Sequence, residues 1–351
     1  MKQKKIRLSI LDQSIVRKGW TAQRAIEETV ATARFADQNG FSRFWVSEHH
    51  NSTMIAGSAP ELLMVKLADE TARIRIGSGG IMLPNHSALK VAENFRMLET
   101  LFPGRIDLGM GRAPGGDRIT ASLLNPSNTF SEESYLEQLQ HLQAFFTDEA
   151  NTQYGPVYAV PQAATIPQQW ILSSSGGSSA IAAAFGAGLA IAKFINGNVS
   201  TAIVEQYRSA FRPSSTFAKP QALLAVQVLC ADTSEKAAEL RKLSDYILLQ
   251  FEKGIFEPVA GYDEIKNLTF SAQELERIAA NTGRIVSGTQ EEVKDQLTRL
   301  ANDFDIDEIM VSSMTFLPED RTRSFELLAE AFDLKKEKEL VGSLGFKNLV
   351  T

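Results

Sequence analysis

The apolar positions of this chain switch back and forth between two spacings. Residues 6–12 (IRLSILD) alternate and are rich in β-formers, which predicts a strand. Residues 21–39 set Ala, Ile, Val and Phe at helical spacing and stop at Asn39-Gly40, which predicts a helix. The exchange repeats with a strand at 44–47, a helix at 59–71 with Pro60 in its first turn, and a strand at 73–82. A helix at 88–101, closed by Pro103-Gly104, and a strand at 105–111 follow. Further on come a helix at 131–147 and a small hairpin at 154–160. Strands at 170–174, 189–194, 222–231 and 308–313 then alternate with helices at 178–186, 200–211, 234–251, 289–304 and 323–336. The helix at 289 opens on a capping box made by Thr289 and Glu292.

Eight strands alternating with helices predict an α/β fold, a (β/α)8 TIM barrel forming one domain over residues 1–351. Several of the strands are apolar on both alternating faces, as a parallel sheet covered on both sides requires. Residues 252–284 break the rhythm and are too long for an ordinary loop. They predict a lid inserted before the last βα unit, the alternative being a plain surface excursion.

Composition adds little to the fold and narrows the setting. Hydrophobic residues make up 44% of the chain and charged residues 22%, as in an ordinary globular protein. Cys230 is the one cysteine, so no internal disulfide forms, and its apolar run predicts a buried, inert thiol. The formal net charge of −6 argues against nucleic acid or an anionic membrane surface as a partner. The apolar run at the N-terminus is too short for a signal peptide, and no window reaches the length of a membrane span. A cytoplasmic protein is expected.

In such a barrel the chemistry sits at the C-terminal ends of the strands. Those ends carry Asp12, Ser47-Glu48-His49-His50, Ser78-Gly79-Gly80, Gly109-Met110-Gly111-Arg112 and Ser173-Ser174-Ser175-Gly176-Gly177-Ser178. Two glycine-rich ends one helix apart let a backbone approach a flat ligand closely. The serine-rich turn, between a strand and a helix, offers backbone N–H groups and hydroxyls to a phosphate, or is a flexible loop with an N-cap serine. Arg112 pairs with a phosphate or a polar ligand edge, or forms a salt bridge to Asp107 or Asp117. The 109–115 run lacks dinucleotide-fingerprint spacing, because Pro114 stands where the third glycine belongs. Adjacent His49 and His50 on an extended segment point apart, and His86 and His141 complete no ligand pattern, so no metal is expected. Either His49 or His50 is a candidate donor or general base, or a residue that ties down its loop.

Taken in order, FWVSEHHN, IGSGGIMLPNHSALKVAENFRMLETLFPGRIDLGMGRAPG and ILSSSGGSS resemble the bacterial luciferase-like, flavin-dependent monooxygenases. The resemblance runs from Ile6 to the strand near Glu308. It implies FMN at the mouth of the barrel, bound in reduced form as a cosubstrate supplied by a separate NAD(P)H:flavin reductase. It places Ser78, Gly79 and Gly80 against the flavin ring, with a cis peptide at Gly79–Gly80. It assigns Ser174, Ser175, Gly176, Ser178 and Arg112 to the phosphate, and His49 and His50 to the reactive edge. The luciferases proper carry a reactive cysteine where Gly111 stands and a glutamate where Ser174 stands, so light emission is not expected here. The implied reaction is oxygenation of a small organic substrate, an aldehyde or another hydrophobic compound, with O2. The alternatives are a deazaflavin-dependent oxidoreductase of the same fold, a non-catalytic FMN-binding protein, or a metal-dependent barrel hydrolase. The family also implies a homodimer, with helices 59–71 and 88–101 as the candidate faces.

Overall fold

The structure, a computed structural model, describes residues 5–127 and 130–334. Its strands, in chain order, are β1 (Arg7–Asp12), β2 (Arg43–Val46), β3 (Arg75–Met82), β4 (Ile106–Gly111), β5 (Asn151–Thr152), β6 (Gly155–Pro156), β7 (Gln168–Ser173), β8 (Gly188–Ala192), β9 (Ala222–Ala231), β10 (Ile285–Thr289) and β11 (Glu308–Ser312). Parallel pairing runs β1–β2–β3–β4–β7–β8–β9–β11 and returns to β1, which closes an eight-stranded barrel with helices on the outside. This is the expected (β/α)8 fold. β5 and β6 form a separate antiparallel hairpin over 151–156, a few residues before the expected 154–160.

Four expectations are corrected in detail. β10 is a strand the hydrophobic pattern did not reveal. It pairs with Gln227–Ala231, the half of β9 that extends past β8. Residues 252–284 are not irregular, since they contain the helices Tyr262–Ile265 and Ala272–Asn281. The loop after β4 holds a short helix, Arg118–Leu124, capped by Asp117. The last helix starts at Pro318 rather than 323, and residues 335 and 336, expected at its end, lie outside the described residues.

Local chemistry sets the helix starts. Thr21, Thr233 and Ser131 each accept a backbone N–H three residues on, at 3.2, 3.2 and 3.1 Å. The lumen is filled by Leu11, Trp45, Trp170, Leu223, Ala225 and Met310. The Trp45 and Trp170 rings meet edge to face at 5.6 Å. Gly77 and Gly188 make room for them, because a β-carbon at either position would overlap an indole.

The N-terminal end of the barrel is closed by buried charge. Arg43 donates to Asp107 at 2.7 Å and to Glu308 at 2.9 Å. Trp45 Nε1 and Arg75 also donate to Asp107, and Ser9 donates to Glu308. Burial opposes the charge on Arg43, but the two carboxylates outweigh it and hold its pKa above the usual guanidinium value. With this end filled, the open space lies at the other mouth.

Candidate active site

Two chambers open at the C-terminal ends of the strands. The inner one, about 410 Å³, lies against Gly79, Gly111, Arg112, the serine turn and the lumen tryptophan Trp45. The outer one, about 550 Å³, lies under the 252–284 segment. They share Gln13, His49, Phe194 and Ile195, so they meet at a neck. Both volumes suit small-molecule sites.

The glycine-rich strand ends form one wall. The Gly79–Gly80 peptide is cis, and the β3–β4 register slips between Gly79 and Ile81. A β-carbon on Gly79 would stand 2.8 Å from Leu11 and 3.0 Å from Trp45. On Gly80 it would stand 2.6 Å from Leu172 and 2.7 Å from the Gly109 carbonyl. Ser78 is turned away from the chamber. Its Oγ donates to the Gly109 carbonyl at 2.9 Å and accepts the Gly109 N–H at 3.0 Å. Of the expected cofactor residues, Gly79, Gly111, Arg112, Ser174, Ser175 and Ser178 line the inner chamber, whereas Ser78, Gly80 and Gly176 do not.

The serine turn is built to expose N–H groups. Gly176 takes φ +92°, a left-handed conformation that favours glycine, and starts the helix Gly177–Ala184. No side chain caps that helix, and with the Ser179 N–H bonded to the Gly176 carbonyl at 3.0 Å, the Gly177 and Ser178 N–H groups are left for a ligand. The turn is held from below. Ser173 Oγ accepts the Gly176 N–H at 3.2 Å, Ser179 Oγ donates to the Gly176 carbonyl at 2.7 Å, and Asn196 Nδ2 donates to the Ser174 carbonyl at 2.9 Å. Arg112 reaches over from the end of β4. Its ion-pair partner is Glu132, not the expected Asp107 or Asp117. The pair is exposed, so it adds little stability and leaves the guanidinium exchangeable.

The two histidines have separate surroundings. His49 lines both chambers, and its Nδ1 lies 3.1 Å from Ser47 Oγ, which leaves Nε2 for a reactant. Burial pushes its pKa below the usual imidazole value, and His50 adds to this, while Glu48 opposes it. His50 lines only the outer chamber and is tied through Nε2 to Glu48 at 2.7 Å.

Glu48 is a hub that the sequence did not disclose. It is fully buried, and it accepts from the Met82 N–H at 2.8 Å and from Asn85 at 3.3 Å. It also binds His86 Nε2 at 2.9 Å. Burial raises its pKa, but the bonds from His86, His50 and Met82 outweigh that and hold the carboxyl below its ordinary value. Glu48 in turn raises the His86 pKa against the effect of burial. Together these bonds clamp the β2 and β3 loops into one rim. The signal available was Asn85 and His86, three and four residues beyond β3, a polar pair after an apolar run.

The 252–284 segment sits over the mouth and is anchored to it. Val259 exchanges backbone bonds with Val16 and Lys18, and its side chain packs with Ile15, Met54, Ile247 and Ile265. Phe251, Phe256 and Arg284 line the outer chamber. Arg284 is a further site residue that sequence reasoning missed.

These features describe an eight-stranded barrel whose C-terminal mouth holds a two-chambered small-molecule site. A family model described as luciferase-like monooxygenase matches residues 6–305, and the chain belongs to that family. Among its relatives, uncharacterized protein YwcH of Bacillus subtilis (strain 168) is 48% identical over 330 residues, covering 93% of this chain and 99% of the relative. N-acetyl-S-alkylcysteine monooxygenase of the same organism is 35% identical over 332 residues, covering 93% and 98%. Apo-MsnO8 superposes with a TM-score of 0.88 at 33% identity, covering 95% of this chain and all of that one. The oxygenating constituent of 3,6-diketocamphane monooxygenase from Pseudomonas putida, in complex with FMN, shares the fold at a TM-score of 0.67 and 17% identity, covering 93% and 97%. No helix among the described residues is long and apolar enough to cross a membrane.

Proposed function

We propose that this protein is a monooxygenase that uses reduced FMN and O2 to oxygenate a small organic substrate. The observation that carries this reading is the conjunction of a glycine-walled chamber with an uncapped, serine-lined helix start at its edge. A flat ring fits where Gly79 and Gly111 carry no side chain, and a phosphate fits at Ser174, Ser175 and Ser178, with Arg112 in reach. When bound, the reduced flavin supplies two electrons and activates O2, so that one oxygen atom enters the substrate and the other leaves as water.

The chain's own residues do the rest. The buried lumen side chains and the 252–284 segment, acting as a lid, exclude water from the two chambers. His49, neutral at pH 7, holds or passes a proton through Nε2 at the neck, while Ser47 fixes its ring. His50 serves chiefly to clamp the rim through Glu48. A separate NAD(P)H:flavin reductase supplies the reduced FMN. A second copy of the chain covers Leu62, Val65, Met97 and Leu101, which lie exposed on the helices Pro60–Asp69 and Ala88–Leu101. The relative that acts on an N-acetyl-S-alkylcysteine makes a thioether the first substrate to try.

The test is a turnover under ¹⁸O₂ with reduced FMN and N-acetyl-S-benzylcysteine. The expected product carries one ¹⁸O atom per flavin oxidised. Release of all the oxygen as hydrogen peroxide would overturn the reading for this substrate class. Turnover with a reduced deazaflavin and no O2 uptake would reassign the protein to hydride transfer.

A further inference from the structure

The outer chamber has a polar side, with Gln13, His49, His50, Asn51 and Asp117, and an apolar side. Its wall includes Met54, Ile55, Leu248, Phe251, Phe256 and Met314, with the Phe251 and Phe256 rings stacked at 5.7 Å. Arg284 is the one Lys or Arg side chain in that wall among the described residues, and it is 19% exposed. Its place is set by the backbone. Gly197 and Gly283 touch so closely that a β-carbon on Gly197 would stand 2.8 Å from Gly283 C, and one on Gly283 would stand 2.7 Å from Gly197 O. That contact fixes the turn Thr282–Arg284 against the loop after β8.

The guanidinium is only partly used. Nε donates to the Phe194 carbonyl at 2.8 Å and Nη1 to Asn281 Oδ1 at 3.2 Å. Glu252 forms a long ion pair with Nη1 at 3.7 Å, beyond a hydrogen bond, and is itself held by Arg277 and Asn281. Among the described residues no hydrogen bond uses Nη2. The wall's one carboxylate among the described residues, Asp117, is occupied by Asn51 and by the N–H groups of Ile119 and Thr120. Burial pushes the Arg284 pKa down, with Glu252 opposing, which is the state that a bound anion relieves. Arg284 lines the outer chamber, and Phe194, whose carbonyl it holds, lines both.

A half-used, half-buried guanidinium beside an apolar wall calls for an anion with an apolar arm. We propose that Arg284 is a specificity-determining residue that anchors the carboxylate of a small organic acid whose apolar part fills the outer chamber. This rests on the monooxygenase reading above and names the substrate class for it.

The probes are 4-phenylbutyrate and its uncharged counterpart 4-phenylbutyramide, titrated calorimetrically into the purified protein. The expected result is at least about tenfold tighter binding of the carboxylate, the value of one good charge-assisted bond. Arg284→Gln removes that preference and leaves amide binding and FMN binding within about twofold, and Arg284→Lys restores part of it. Equal binding of the two probes by the unaltered protein would overturn the proposal. So would an R284Q protein that keeps the preference but loses FMN affinity, since the guanidinium would then serve the cofactor phosphate. An Arg284-dependent preference in a protein that binds no flavin supports the anchor and refutes the monooxygenase reading.

Discussion

Replacing His49 with alanine is expected to lower turnover by about 100-fold or more while changing the dissociation constant of FMN by less than about threefold. His49 lines both chambers at their neck, and of its two ring nitrogens only Nδ1 has a hydrogen-bond partner among the described residues. His50, by contrast, has its Nε2 tied to Glu48 and does not line the inner chamber. The His49→Ala change therefore removes the ring at the neck of the two chambers and leaves the serine turn untouched. The pH profile gives a second readout. Burial lowers the His49 pKa, so the neutral ring persists below the usual value of about 6.5. The acid limb of kcat then lies below pH 6.5 and disappears in the alanine variant. Steady-state oxygen uptake and flavin fluorescence titration measure the two effects. Equal losses of turnover and FMN affinity would make His49 a structural residue.

The second large effect is on stability and falls on Asp12. This strand-end carboxylate is fully buried and takes no part in either chamber. It accepts from Arg321 Nη2 and the Ser14 N–H, both at 2.6 Å, and from Thr29 Oγ1 at 3.1 Å. Arg321 turns also to Glu28, which pairs with the buried Arg17. Asp12→Ala leaves Arg321 buried with a single distant partner at 3.4 Å, and removing one member of such a pair costs about 3–5 kcal/mol. The urea midpoint should fall accordingly. The double variant Asp12→Ala/Arg321→Leu should lose less than the sum of the two single losses, because it strands no charge. Additive losses would mean that the two residues do not depend on each other.

Asp12 also shows what a sequence can and cannot disclose. A polar residue at a strand end in a barrel reads as part of the mouth, yet its partner lies 309 positions away on the last helix. The barrel itself was legible, because strands such as Ala222–Ala231, with nine apolar residues of ten, are buried along their whole length, as a sheet covered on both faces requires. β10 was not legible. It is five residues long, carries Gly288 at φ +153°, and runs straight into a capping box, so the helix signal covered it. The serine turn and the two glycine-rich ends were legible because a sharp strand-to-helix turn and a close backbone approach both demand particular residue types. Ser78 sits in the same motif but is turned onto Gly109, a direction that depends on the register between β3 and β4. Glu48 and Arg284 could be placed only by contacts from 38 and 90 residues away. Long-range partners of that kind leave no periodic trace.

The most direct measurement compares FMN with riboflavin. The two share the ring and differ in the phosphate, so the ratio of their dissociation constants isolates the turn at Ser174, Ser175 and Ser178 together with Arg112. Two or more charge-assisted hydrogen bonds at about 1.5–3 kcal/mol each predict that FMN binds at least about 100-fold more tightly. Equal affinities, or no binding of either in oxidised or reduced form, would contradict a flavin phosphate at this helix start.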